Sequence, residues 1–241
     1  MPARRIPILP VVLLTGATAI FIALGAWQLS RLGERRAANA QTLAQRTLPT
    51  LSLNTEPGVA PQRRVTASGR WDYAHEVVLR GQTRRDAPGV VIATPLVLGE
   101  QGAVLVVRGF ARSADAMSVA LDSLREGERG SIRGIALALE SRPDSGVPLA
   151  RNGLTTWSRL DSAAVANRVP YPLLGVFVVA EGDSASQGWP RRVEPPPISD
   201  GPHLSYALQW FGFALVTVVG GGFWLRKRNE TATADLNCNR R

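Results

Sequence analysis

Cysteine, histidine, methionine and lysine are almost missing from this chain. Its 241 residues include one Cys, two His and two Met, and of 28 basic residues only Lys227 is lysine. Cys238, His75, His203, Met1 and Met117 therefore cannot assemble a multi-ligand zinc or iron–sulfur site, nor an intramolecular disulfide. A c-type haem attachment sequence is absent too. The lone lysine follows Arg226 at the end of an apolar run, which excludes P-loop chemistry. GxSxG, HExxH and GxGxxG motifs are missing. The acids are scattered through turns and single out no carboxylate pair, while the serines of Gly-Asp-Ser-Ala-Ser and Pro-Asp-Ser-Gly read as turn formers. A membrane-tethered hydrolase is thus the reading with least behind it, and the chain is expected not to be an enzyme.

What is present is two long apolar runs around a polar middle. Residues 6–29 contain no ionisable side chain over 24 positions, more than the roughly 20 a helix needs to cross a bilayer. Cleavage as a signal peptide at Ala17-Thr18-Ala19 would leave an apolar end closing on Trp27 with nothing to bury it, so retention as an anchor is the simpler account. Residues 204–225 form the second run, closed by Arg226-Lys227-Arg228 in a stop-transfer pattern. Trp27 and Trp224 sit at span ends, where an indole prefers the headgroup level. Two spans put both tails on one side. The positive-inside count decides little, but a long loop is translocated largely regardless of charge, so the tails are expected in the cytoplasm and the loop outside.

The net charge of +9 falls disproportionately on the short tails, an arrangement suited to anionic lipid. The loop's arginines are interleaved with acids in no single stripe, which argues against nucleic acid as a partner.

Between the spans, short runs rich in Val, Ile, Leu and Thr alternate with Gly, Pro, Asp and Ser, the pattern of an antiparallel β domain. Seven strands are expected, near residues 62–69, 75–82, 89–98, 103–110, 130–140, 154–160 and 173–181. Gly99-Glu100-Gln101-Gly102 joins the third and fourth as a hairpin, and Val104-Leu105-Val106-Val107 is apolar on both faces, as in a central or barrel strand. Two short helices are expected, over residues 113–125 with Ala114, Met117, Leu121 and Leu124 at helical spacing, and from a cap at Asp161 through Asn167. Arg108-Gly109 is either an anion site or, more commonly, a strand-end arginine with a bulge glycine. The fold class is therefore a membrane protein in which two transmembrane α-helices flank an extracytoplasmic antiparallel β domain, a barrel or sandwich of about seven strands. Its segments are an N-tail (1–5), first span (6–29), spacer (30–61), β domain (62–190), Pro-rich lead-in (191–203), second span (204–225) and basic tail (226–241).

His203 stands at the first turn of the second span, and an ionisable group at a bilayer boundary raises the question of function. Tyr206 and Trp210 follow at helical spacing, so one face offers an imidazole, a phenol and an indole. Two readings fit: a slot for a flat aromatic ligand, or an interfacial belt that only anchors the span. Trp27, Gln28, Arg31 and Arg35 end the first span at the same membrane face. If haem were held there, neutral His203 could supply an axial nitrogen and Arg31 or Arg35 could take propionates; the alternative is that both arginines hold the helix end at the headgroups. In the second span, Gly212 and Gly220-Gly221-Gly222 suggest close helix approach, to Gly16 and Gly25 of the first span or to another membrane protein.

Leu24-Gly25-Ala26-Trp27-Gln28-Leu29-Ser30-Arg31 resembles the Gly-x-Trp-Gln-x-x-Arg motif of the Surfeit locus protein 1 family, with Arg35 where a Lys is usual. His203-Leu204, Tyr206-Ala207 and Gln209-Trp210-Phe211 resemble that family's second-span signature. Gly69-Arg70-Trp71, Thr94-Pro95-Leu96 and Val104-Leu105-Val106 into Arg108-Gly109 follow its middle. Phe110 replaces a usual Trp, and Val107 a frequent Asn. The resemblance implies a two-span assembly factor for haem-copper cytochrome c oxidase in the bacterial inner membrane, or a mitochondrial counterpart, with its β domain periplasmic. It implies help in delivering or inserting haem a into subunit I, with that subunit and the haem a biosynthesis machinery as partners. It also implies haem a ligation by His203, with Tyr206 and Trp210 as packing walls and Trp27, Gln28 and Arg31 completing the site. The alternative is a haem-free scaffold that stabilises an oxidase assembly intermediate.

Overall fold

The computed structural model describes residues 8–141, 148–151, 153–182 and 190–238. The expected N-tail (1–5), the tail cations Arg240 and Arg241 and most of both serine-bearing turns lie outside these residues. The chain divides into two compact units, one of residues 1–40 with 198–241, the other of residues 41–197.

The first unit is a helix pair. Helix α1 (Ile8–Thr47) and helix α3 (His203–Cys238) are each long and apolar enough to cross a membrane. Almost none of either apolar window is buried, unlike the core helix of a soluble protein, and Leu9, Val12, Leu13, Leu215, Val216 and Phe223 point outward. Helix α1 does not stop at the end of the apolar run. Residues 30–47, expected as part of a spacer, continue it through a stretch rich in Ala and Arg with Gln and Leu, all good helix formers. It ends just before Pro49, which disfavours helical backbone at the preceding residue.

The second unit is a β domain. Its strands are β1 (Leu51–Ser52), β2 (Arg64–Trp71), β3 (Val77–Arg84), β4 (Ala87–Val97), β5 (Ala103–Arg112), β6 (Arg129–Ala138), β7 (Leu149–Arg151), β8 (Leu154–Trp157) and β9 (Leu173–Glu181), with helix α2 (Ser162–Ala166) before the last. All seven expected strands are among them. Strands β2, β6, β9, β5 and β4 are hydrogen-bonded in that order, and pairing of Arg70 with Val97 and Trp71 with Leu96 brings β4 back to β2 and closes a barrel. All its pairs are antiparallel except β5–β9, the five-stranded Greek-key arrangement of OB-type barrels. Of the extra strands, β1 pairs in parallel with β2, and the others come from two insertions, β3 between β2 and β4, and β7, β8 and α2 between β6 and β9. They meet where β3 pairs with β8 in parallel. The sheet is thus mixed rather than purely antiparallel.

Side-chain alternation explains the doubly apolar run in β5. Val104 and Val106 join Val65, Ala67, Trp71, Leu96, Ile132, Ala136, Val176 and Val178 in one cluster fed by all five barrel strands, which is the barrel interior. Leu105 and Val107 point the other way and join Val77, Val91, Ala93, Trp157, Val165 and Val179. The second layer from β8 and α2 covers that outer face, so both faces of β5 are dry. Each such side chain contributes about 1.5–3 kcal/mol.

The expected helix over residues 113–125 is absent. Only a 3-10 turn, Leu121–Leu124, forms there. The Asp115 carboxylate accepts hydrogen bonds from the Ser113 and Ser118 hydroxyls and from the Met117 and Ser118 amides, so a local turn takes the donors that a helix would direct along its axis. These bonds also hold the Asp115 pKa well below the usual carboxylate range. Ala116 has a φ of 52°, which the α-helix cannot accommodate. By contrast, Asp161 caps α2 as expected, accepting from the Ala164 amide at 2.8 Å.

Arg108 sits at the expected bulge, where the β4–β5 register shifts. It is fully buried. Its guanidinium donates to Glu76 (2.9 Å) and to the Leu124 carbonyl and lies over the rings of Trp71 and Tyr73. Burial raises the Glu76 pKa even though the Thr94 hydroxyl and Arg108 oppose the shift. The lead-in is tied to the same place. Arg191 bridges Phe110 through paired backbone hydrogen bonds, and Arg192 grips the Glu126 carboxylate with both guanidinium nitrogens. The anion-site alternative for Arg108 is therefore answered internally, by carboxylates and a carbonyl of the domain itself.

Candidate functional site

The helix pair interlocks along a seam of heptad spacing. On α1 it comprises Leu14, Thr18, Phe21, Gly25, Gln28 and Leu32; on α3, His203, Ala207, Trp210, Ala214, Thr217 and Gly221. All are buried or half-buried. Trp210 stacks on Phe21 with ring centroids 5.8 Å apart, and Phe213 approaches both rings. The Phe211 ring fills the space over Gly25, where an added Cβ would come within 2.6 Å of it. Gly221 likewise receives Leu14, whereas Gly16, Gly212 and Gly220 face nothing within 4 Å. Of the glycines expected to serve helix approach, then, Gly25 and Gly221 do so within the pair.

At one end of the seam the two spans share a polar contact. His203 Nδ1 lies 2.9 Å from Gln28 Oε1. An amide oxygen accepts and does not donate, so this geometry places the imidazole proton on Nδ1 and leaves a lone pair on Nε2. Gly201, with a φ of 70°, turns the lead-in onto the helix, and a Cβ there would stand only 3.7 Å from Nε2. The junction is pinned further by the extension of α1. Arg36 Nε donates to Asp200 Oδ2 at 2.9 Å, Asn39 to Asp200 Oδ1 at 3.0 Å and Arg35 to the Ser199 carbonyl at 3.1 Å. The bond from Arg36, against a smaller opposing effect of burial, lowers the Asp200 pKa.

The other expected site residues are placed as follows. Trp210 is part of the seam. Tyr206 and Trp27 are 48% and 56% exposed, so their rings are accessible at the helix surface. Arg31 is exposed and donates to Glu34 at 2.6 Å. Arg35 engages the lead-in. Sequence reasoning found His203, Gln28 and Trp210 but missed Phe21, Phe211, Asn39 and Asp200. The heptad spacing of positions 14, 18, 21, 25, 28 and 32 was the available signal for Phe21 and for the gap at Gly25 that Phe211 fills. Among the described residues no cluster of three or more His, Cys, Asp or Glu could hold a metal ion.

These features define a class: a β-barrel domain that lies in sequence between two span-length apolar helices, which are joined to each other by a histidine–glutamine contact. The model of the SURF1 family matches residues 15–215, which take in the β domain and the seam's central part. A SURF1-like protein of Rickettsia felis is 27% identical, over 83% of this chain and 89% of its own length. One from Rickettsia conorii is 26% identical over 83% and 84%, and an uncharacterized SURF1-like protein of Mycobacterium bovis 24% identical over 92% and 81%. The chain belongs to the SURF1 family, as its motifs led us to expect. Membership implies a role in cytochrome oxidase assembly, and the family is one of assembly factors rather than enzymes.

Proposed function

We propose that this chain is a non-enzymatic chaperone of haem-copper cytochrome c oxidase that assists delivery or insertion of haem a into subunit I. The observation that carries the reading is the 2.9 Å contact of His203 Nδ1 with Gln28 Oε1, which leaves Nε2 as the nitrogen able to bind iron. A single imidazole fits haem, which needs few protein ligands, better than a bare metal ion, which needs several. When bound, haem would supply an apolar, redox-active porphyrin. The chain's own residues would hold it: His203 through Nε2, Tyr206 and Trp27 by the flat faces they expose, Arg31 by exchanging Glu34 for a propionate. In this reading the protein lies in the bacterial inner membrane, with both tails cytoplasmic and the β domain outside. The subunit I precursor, the haem a biosynthesis machinery and membrane lipid are its partners.

One observation favours a haem-free scaffold instead. Trp210 already packs against Phe21 and Phe213, so its ring is a helix contact and not an open wall. The visible spectrum of the detergent-purified protein from haem-a-producing cells separates the readings. A Soret band lost in His203→Ala is the expected result, and a colourless wild type would favour the scaffold.

A further inference from the structure

The outward face of β2 and β6 distributes its charge unevenly. Thr66, Ser68 and Arg70 of β2 stand opposite Arg133, Ser131 and Arg129 of β6. At one end the cations are compensated from within: Arg64 donates to Glu181 of β9 at 2.9 Å, and Arg133 is the register partner of the same residue. In the middle the Ser68 and Ser131 hydroxyls bond each other at 3.1 Å. At the other end Arg70 directly faces Arg129, and among the described residues neither forms an ion pair.

The acids nearby are otherwise engaged. Asp72 accepts from Tyr171 and His75, and Glu126 is held by Arg192. Glu128 adjoins Arg129 in sequence without pairing to it. Two like charges directly opposite across antiparallel strands are destabilising, so this pair works against the fold that carries it. Arginine, unlike lysine, presents a rigid fork matched to two carboxylate oxygens.

We propose that this face docks an acidic, Asp- or Glu-bearing segment of a protein partner, with Arg70 and Arg129 taking its carboxylates. Glu181 at the compensated end shows which group the face accepts. The two ends are four residues apart along β6, about 13 Å. An extended segment placed between them passes the Thr66, Ser68 and Ser131 hydroxyls, whose oxygens can accept from its backbone amides. This surface is independent of the His203 reading.

The test uses the full chain in phosphatidylcholine nanodiscs and a fluorescein-labelled hexaglutamate peptide, followed by anisotropy. Binding that weakens about tenfold or more in Arg70→Gln/Arg129→Gln, but less than about twofold in the equally charged control Arg85→Gln/Arg112→Gln, is expected. The Arg70/Arg129 variant should also melt no lower than the wild type, because a repulsion has been removed. Equal weakening in both variants, or no binding by the wild type, overturns the proposal. So does a melting temperature several degrees lower, which would make the pair structural. If co-sedimentation with phosphatidylglycerol vesicles depends on the pair and peptide binding does not, the face is a lipid surface and the proposal falls.

Discussion

His203 and Gln28, 175 positions apart in sequence, meet across the two spans with Nδ1 2.9 Å from Oε1. Because Oε1 can only accept, the contact selects one imidazole tautomer before any ligand arrives. The chain has only two histidines, so uniform ¹⁵N-histidine labelling yields just two imidazoles to resolve. We expect the His203 ring nitrogens to report a proton on Nδ1 in the wild type and a mixture of tautomers in Gln28→Leu, read by ¹⁵N correlation spectra without haem present. A proton on Nε2 in the wild type would mean that the Gln28 amide presents its nitrogen, and the axial-ligand assignment would lose its support.

The seam predicts which glycines matter. Gly25→Val must displace the Phe211 ring, and overpacking of this kind costs about 1–3 kcal/mol. Gly220→Ala meets nothing within 4 Å and should cause no loss of stability, since alanine is the better helix former. Thermal unfolding in a nonionic detergent checks both, and similar losses for the two would contradict the seam.

Much of this was legible in the residues. The seven strands declared themselves through β-branched runs between turn formers, because their alternation survives whichever neighbours they pair with. The parallel β5–β9 and β3–β8 pairings did not, since pairing partners far apart in sequence leave no local trace. The hairpin between β3 and β4 was hidden because Arg85 and Asp86, with φ of 48° and 61°, fill positions usually signalled by Asn-Gly. Arg108 read as an anion site or a strand-end arginine, and its burial was hidden because its partners Glu76 and Thr94 lie 32 and 14 residues away. For the site, spacing located His203 and Trp210 on α3, but that Trp210 faces Phe21 while Tyr206 faces outward depends on the azimuth of the partner helix.

The buried pair in the β domain should respond asymmetrically. Glu76→Leu leaves the fully buried Arg108 with Glu126 at 3.5 Å as its remaining carboxylate, and should cost about 3–5 kcal/mol. Glu76→Leu/Arg108→Met removes both charges and should recover part of that loss, since paired buried charges are often matched by apolar side chains of similar volume. Denaturant unfolding followed by near-ultraviolet circular dichroism measures both. A double variant no more stable than Glu76→Leu would assign the loss to the Leu124 carbonyl and packing rather than to the charge.

Asp72 makes one pH-dependent contribution that a single substitution isolates. Burial alone would raise its pKa, but hydrogen bonds from Tyr171 (2.5 Å) and His75 (2.7 Å), with the charge of His75 and the Ala74 amide, outweigh it and hold the value below the ordinary 3.8. Burial and the Asp72 charge push Tyr171 above its ordinary 10, so the phenol stays a donor throughout the neutral range. A depressed acid stabilises the fold above its unfolded pKa and loses that contribution as pH falls through the folded one. The clasp should therefore contribute about 1–2 kcal/mol at neutral pH and weaken only below about pH 4. Asp72→Asn should melt several degrees lower than the wild type at pH 7, and the two curves should converge as pH falls below about 4. A gap that stays constant across that window would show that the carboxylate charge is not what the clasp uses.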